Sequence, residues 1–237
     1  RRFMSVVTST SSYSARRRAL SSSNKLLNHL RSIVVDWELL TEVREFLAQS
    51  GIPCVGNSRN GLWYAPEFDG GTCYFKSSDG HHGQWHFSLQ RLNLDVATVA
   101  LRSGGAIIVD STKAGKRYPD SFSVTVPIWS AVLNYVVMKR GATSRDQDRG
   151  VMEECLCTPD WIISESSRDQ IINFCLDAAH SLPKAVVDLI YSTCVAAQGD
   201  PAEAFKPLRP VWVCPNEDGS IQWEGEYADD LMTLTLE

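Results

Sequence analysis

The sequence predicts a mixed α/β (α+β) domain, a mixed sheet of short strands flanked by helices. Two observations predict it. Segments with apolar residues every three or four positions alternate with short β-branched runs, and most of the helical segments stop at glycine or proline. One run, Ala106-Ile107-Ile108-Val109, is apolar without interruption, as expected of a strand buried on both faces.

Residues 1–23 are rich in Ser, Thr and Arg with little periodicity, which predicts a flexible basic arm with little order. From Asn24 to about Gln49, Leu26, Leu27, Leu30, Ile33, Val34, Trp37, Leu40, Val43 and Leu47 recur at helical steps, and Gly51 with Pro53 ends them. Between Pro53 and Ser88 glycines interleave with Trp63, Tyr64, Tyr74, Phe75, Trp85 and Phe87, which predicts short strands joined by turns. A helix is expected over Asn93–Arg102, then the buried strand, then a long loop framed by Pro119 and Pro127. Helices follow over Ile128–Arg140, Ser167–His180 and Pro183–Ala197. Val211–Cys214 and Ile221–Trp223 flank Asn216-Glu217-Asp218-Gly219 as a hairpin, and Leu231–Leu236 alternates like a strand. Residues 24–237 are read as one domain.

The 237 residues carry a net charge of -5, yet the first acidic residue is Asp36, so the start is basic and the remainder acidic. At 43% hydrophobic and 22% charged the chain has globular composition, which excludes collagen, coiled coil and global disorder. No apolar run reaches the roughly 18 residues of a membrane span, so a soluble protein is expected. Seven cysteines at irregular spacing, with no Asn-x-Ser/Thr acceptor, argue against a secreted disulfide framework and for a reducing, cytoplasmic setting. The acid-free start has the composition of a transit peptide as well as of an arm lying along a phosphate backbone. The first residue is Arg1, and the chain is expected to be part of a longer one.

Two polar blocks stand out. In Cys73–Leu94 an aromatic strand opens into Lys76, Ser77, Ser78, Asp79 and a glycine-flanked His81-His82. Exposed backbone N–H groups and a cation converging there suit an anion; the competing reading is a hairpin turn with a solvated lysine. In Gly104–Trp129 the buried strand delivers Asp110, Ser111, Thr112, Lys113, Gly115, Lys116 and Arg117 to its carboxyl end, the usual ligand edge of α/β folds. An acid, two hydroxyls, a glycine and three cations suit a magnesium-bound phosphate, against a solvated basic loop as the plain alternative. It is not a Walker A loop, because Asp110 stands where the first glycine belongs and Arg117 replaces the hydroxyl residue. His81, His82 and His86 have no matching ligand spacing, and Cys155 and Cys157 lack the second pair a zinc site needs.

In these blocks the sequence resembles the initiator tRNA phosphoribosyltransferases of fungi and plants, the tRNA 2′-O-ribosylphosphate transferases. The likeness is carried by LRSI (Leu30 to Ile33), NGLWY (Asn60 to Tyr64), YFKSSDGH (Tyr74 to His81), Trp85, Phe87 and Ser88, RLNL (Arg91 to Leu94), IIVDST (Ile107 to Thr112), GKR (Gly115 to Arg117), and PD with TVPIW (Pro119 to Trp129). It departs at Lys113-Ala114, where an arginine pair is expected, at Val124 in place of lysine, and at Asp95 in place of histidine. The resemblance implies transfer of 5-phosphoribose from phosphoribosyl pyrophosphate to the 2′-hydroxyl of a T-stem adenosine in initiator tRNA. It also implies a further domain resembling dual-specificity phosphatases beyond these residues.

On that resemblance, Lys76, Ser77, Ser78, Arg91, Asn93, Ser111, Thr112, Lys113, Lys116 and Arg117 are expected to bind substrate. Asp110 and Asp120 orient magnesium, and Asp79 or His81 takes the hydroxyl proton, with Asp110 also counted as catalytic. From the charge of the basic arm and the start of the helix after it, Arg16, Arg17, Arg18 and Arg31 are expected to contact RNA. The partners expected are initiator tRNA and phosphoribosyl pyrophosphate, with no membrane and no protein partner. A non-catalytic tRNA-binding module is the rival reading, and a small-molecule phosphatase a second.

Overall fold

In chain order the computed structural model places β1 at Arg2–Thr8, helix α1 over 37–45, β2 at Cys54–Asn57, β3 at Thr72–Cys73, α2 at Leu94–Ser103, β4 at Gly105–Ser111, α3 at Val126–Lys139, α4 at Asp148–Cys155, α5 at Glu165–His180, α6 at Lys184–Gln198, β5 at Arg209–Pro215 and β6 at Ile221–Glu224. The structure describes residues 2–8, 30, 34, 37–45, 50–58, 61–64, 68–111, 118–140, 147–159, 162–199, 204–215 and 221–226. The strands form one sheet in the order β3-β2-β4-β1-β5-β6, parallel throughout except for β6, which returns antiparallel to β5. This is the mixed α/β class the sequence predicts.

The alternation of side chains along each strand divides the core in two. Ile107 and Val109 of β4, Cys54 of β2, and Val211 and Val213 of β5 face Leu39, Leu40 and Val43 of α1. Ala106 and Ile108, Val55, Trp212 and Cys214 face the other way, onto α2, α3 and the helices beyond. Ile107, Ile108 and Val109 are each at most 1% exposed. Burial of such a side chain stabilises by about 1.5–3 kcal/mol, which is why this uninterrupted run takes a central place in the sheet.

Residues 2–8 differ from expectation. In place of a flexible arm they form β1, hydrogen-bonded between β4 and β5. Phe3-Met4-Ser5-Val6-Val7-Thr8 has β-forming composition, and a sheet gap supplies the partners that local sequence cannot show. The rest of that arm, with Arg16, Arg17 and Arg18, lies outside the described residues, as do Arg31 and the strand expected at Leu231–Leu236.

Among its described residues, the glycine-rich stretch before residue 88 gives two short strands, with 3-10 segments at Gly61–Trp63 and Ser77–Gly80. The loop expected between Pro119 and Pro127 is instead a π-helical turn, Ser121–Thr125, running straight into α3. It is wholly buried, because Phe122 fills the core and its carbonyl accepts the Trp212 indole N–H at 3.0 Å. Ser121–Lys139 is long and apolar enough to cross a membrane, but 94% of its apolar window is buried inside the fold, where it acts as the central core helix. Asn134 on α3 is fully buried and pairs with both backbone groups of Leu208, at 2.9 and 2.8 Å, fixing the entry to β5.

α4 was not foreseen from the sequence and is held by charge. Asp148 at its start bonds Lys139 Nζ at 2.9 Å and His180 Nε2 at 3.1 Å, and His180 meets the Tyr135 hydroxyl at 3.0 Å, joining α3, α4 and α5. Lys139, aided by Tyr135 and His180, holds the Asp148 carboxyl below its ordinary value of 3.8, against the opposing effect of burial. A lowered folded value means that the stabilisation is complete above the unfolded value and is lost as pH falls through the folded one. Asp148→Asn should therefore lower Tm by about 2–4 °C at pH 7, and the difference from wild type should close below about pH 4 in thermal melts across pH.

All seven cysteines are free and buried. Burial pushes the thiols of Cys54, Cys155 and Cys194 up to about 12, which leaves roughly one in ten thousand ionised at pH 8. A chromogenic disulfide reagent should thus react slowly with the native chain and titrate seven thiols rapidly in denaturant.

Candidate functional site

β4 brings Asp110, its last residue but one, to the carboxyl edge of the sheet, a carboxylate that is 0% exposed. Its neighbour across the edge is Asn57, the last residue of β2 and equally buried. Asn57 Nδ2 donates to Asp110 Oδ2 at 2.8 Å and to the Phe75 carbonyl at 3.0 Å, while its Oδ1 accepts the Phe75 N–H at 3.0 Å. Ser121 Oγ donates to the same Asp110 Oδ2 at 2.9 Å, and the Ser111 N–H donates to Oδ1 at 2.8 Å. A buried ionised group is costly unless such donors surround it. Here they come from β2, β4 and the π turn, so Asp110 ties the two sequence blocks together.

Phe75 leads into Lys76 and the 3-10 turn Ser77–Gly80. That lead-in is clamped twice over. Asn93, at a left-handed φ of 46° before α2, accepts the Tyr74 N–H at 3.0 Å and donates to the Tyr74 carbonyl at 3.2 Å, just as Asn57 treats Phe75. Asp79 is buried in the turn and takes Arg91 Nη2 at 2.7 Å. Gly80 presses on the π turn: a Cβ there would stand 2.4 Å from the Asp120 carbonyl oxygen, so only glycine fits. Thr125 Oγ1 donates to the Lys76 carbonyl at 3.2 Å from the same turn.

His81 follows, and its Nε2 lies 3.4 Å from Asp120 Oδ2, with the two side chains 51% and 25% exposed. The surface at this edge thus presents Lys76, half-covered Ser77, Ser78 and Ser111, and a histidine beside a carboxylate. Thr112, Lys113, Lys116 and Arg117 lie outside the described residues.

The geometry reassigns several expected roles. Asp79 is committed to Arg91 and buried, so it is poorly placed to accept a substrate proton. Arg91 and Asn93 serve the turn's shape. Asp110 takes hydrogen bonds from Asn57, Ser111 and Ser121 and is sealed from solvent, which suits an organising carboxylate better than a direct magnesium ligand. Asp120 is the carboxylate of the three that solvent reaches, and magnesium characteristically uses one or two carboxylates with substrate phosphates, so this donor set fits that ion through Asp120. Among the described residues no group of three His, Cys, Asp or Glu side chains gathers as a metal site. Sequence reasoning missed Asn57, Ser121 and Thr125. A lone polar residue closing the apolar run Cys54-Val55-Gly56-Asn57 was the available signal for the first.

Fold and site define an α/β domain with its ligand edge at the carboxyl ends of parallel strands, around a buried Asn57–Asp110 pair. The chain belongs to the family described as the Rit1 N-terminal domain, which matches residues 20–235. It is 36% identical over 191 residues to the tRNA A64-2′-O-ribosylphosphate transferase of Saccharomyces cerevisiae, covering 79% of this chain and 34% of that protein. It is 35% identical over 185 residues to an uncharacterized protein of Schizosaccharomyces pombe, covering 77% of this chain and 38% of that one. The chain therefore spans little more than a third of these curated relatives. No solved structure matches it.

Proposed function

We propose that this chain is the substrate-holding and proton-accepting part of an enzyme that transfers 5-phosphoribose from phosphoribosyl pyrophosphate to the 2′-hydroxyl of an adenosine in initiator tRNA, a cytoplasmic modification that marks that tRNA for initiation. The observation that carries the reading is the convergence of Lys76–His81 with Asp110, Ser111 and Asp120 on one sheet edge, in a relative of a tRNA ribosylphosphate transferase.

The 2′-oxygen attacks C1′ of the donor ribose as the bond from C1′ to pyrophosphate breaks. Asp120 Oδ2 faces His81 Nε2 at 3.4 Å, and Nδ1 is the nitrogen assigned to take the hydroxyl proton. Lys76 with Ser77 and Ser78, and Lys113, Lys116 and Arg117, which follow Ser111 in the sequence, hold the donor phosphates. Magnesium, held through Asp120, would supply charge neutralisation to the departing pyrophosphate.

The test is transfer of ribose-labelled phosphoribosyl pyrophosphate into initiator tRNA by the 237-residue chain and by the complete protein. Label from either supports the assignment, and label from the short chain puts the whole reaction in it. No label from either overturns it. Tight, salt-sensitive tRNA binding without any donor binding by the short chain would make this segment a tRNA-binding module.

A further inference from the structure

Trp63 plays no part in the reading above, yet at 71% exposed it is the barest large apolar side chain among the described residues. Its backbone is held firmly. A Cβ on Gly61 would stand 2.0 Å from the Val109 carbonyl oxygen, so the turn lies directly against β4 one residue before Asp110. Leu62 caps Gly56 of β2, its Cδ2 within 2.7 Å of where a Cβ would be, and Tyr64 is buried in the core beneath. Anchored on both sides, the turn presents its indole ring to solvent at the same sheet edge as Asp110.

The surroundings indicate what covers it. Asn57 and Cys73 are register partners at the ends of β2 and β3, so Tyr74 leaves the sheet at this same edge. Tyr74 is 42% exposed and lies under the Arg91 guanidinium, 5.7 Å from the ring centroid. Lys76 is exposed two residues further on. Exposed rings interleaved with cations beside a site for a ribose hydroxyl fit a polyanion that carries flat bases, which is RNA.

Resting on the function proposed above, we infer that Trp63 is a stacking platform for a nucleobase of the acceptor RNA, next to the nucleotide whose 2′-hydroxyl reacts. Stacking contributes affinity without neutralising a phosphate, so its loss has a signature of its own.

In the complete protein, Trp63→Ala should weaken binding of unmodified initiator tRNA about 5- to 150-fold. The slope of log K against log salt should stay at its wild-type value, since no cation is removed. KM for phosphoribosyl pyrophosphate should be unchanged, and Trp63→Phe should recover most of the affinity. Wild-type tRNA affinity in Trp63→Ala overturns the inference while the functional reading stands. Equal losses in the Ala and Phe variants, or a rise in donor KM, also overturn it, because the ring would then be supporting the fold. Failure of the wild-type protein to bind tRNA overturns both.

Discussion

His81→Ala is expected to lower the kcat of transfer by about 10²- to 10⁴-fold while leaving Tm within a degree or two of wild type. The side chain is half exposed, so its removal opens no cavity, and the Ser77–Gly80 turn before it is held by Asp79, Gly80 and Thr125. Asp120→Asn keeps the shape but removes the charge facing the His81 ring, and a smaller loss of kcat, about 10-fold, should follow. Asp79→Asn is the informative contrast. It cuts the Arg91 ion pair inside the turn, so its effect should fall on stability and substrate affinity together. If Asp79→Asn lowers kcat alone and His81→Ala does nothing, the proton passes to Asp79.

Asn57→Asp should have the largest effect on stability of any single-atom change at this edge. Nδ2 becomes an oxygen 2.8 Å from Asp110 Oδ2, with the Phe75 carbonyl also facing it, in a place with no solvent. An unpaired buried charge costs about 3–5 kcal/mol, which for a chain of this size lowers Tm by roughly 6–20 °C. Two carboxylates sharing such a site can be relieved by one proton. That raises one folded value above its unfolded one, so the mutant should regain stability as pH falls, opposite in sign to Asp148. Thermal melts of wild type and Asn57→Asp at pH 7 and pH 5 measure it, and equal melting at both would show that the edge accommodates the charge.

The elements legible in the sequence were those whose burial pattern is local. β4 was readable as a bare apolar run, α2 from its ending at Gly104, and α5 and α6 from apolar stripes split by Pro183. β5 and β6 were readable from two short runs about a turn-forming sequence, and they do pair antiparallel. What escaped depends on partners far away in the chain. β1 is a strand because β4 and β5 leave a place for it. The π turn at Ser121–Thr125 is helical because Asp110, Trp212 and Gly80 pack around it, overriding the two prolines that looked like loop boundaries. At the site, residue types drew attention to Lys76–His81 and Asp110, which the structure brings to one edge, but not to who supports whom. Asn57 and Asn93 do their work through backbone groups of Tyr74 and Phe75, and such bonds carry no sequence signature.

The position of β1 also sets the order in which the chain can be assembled. Arg2 pairs with Gly105 on one side and Arg209 on the other, contacts of very long range that make folding slow. During synthesis at about 5 to 20 residues per second, β1 leaves the ribosome roughly 10 to 40 seconds before β5 exists. Until then a β-branched segment stands with one edge unpaired, open to the wrong neighbour. Within this sheet, β1 is made before the strands on either side of it and gains its second neighbour only when β5 is complete.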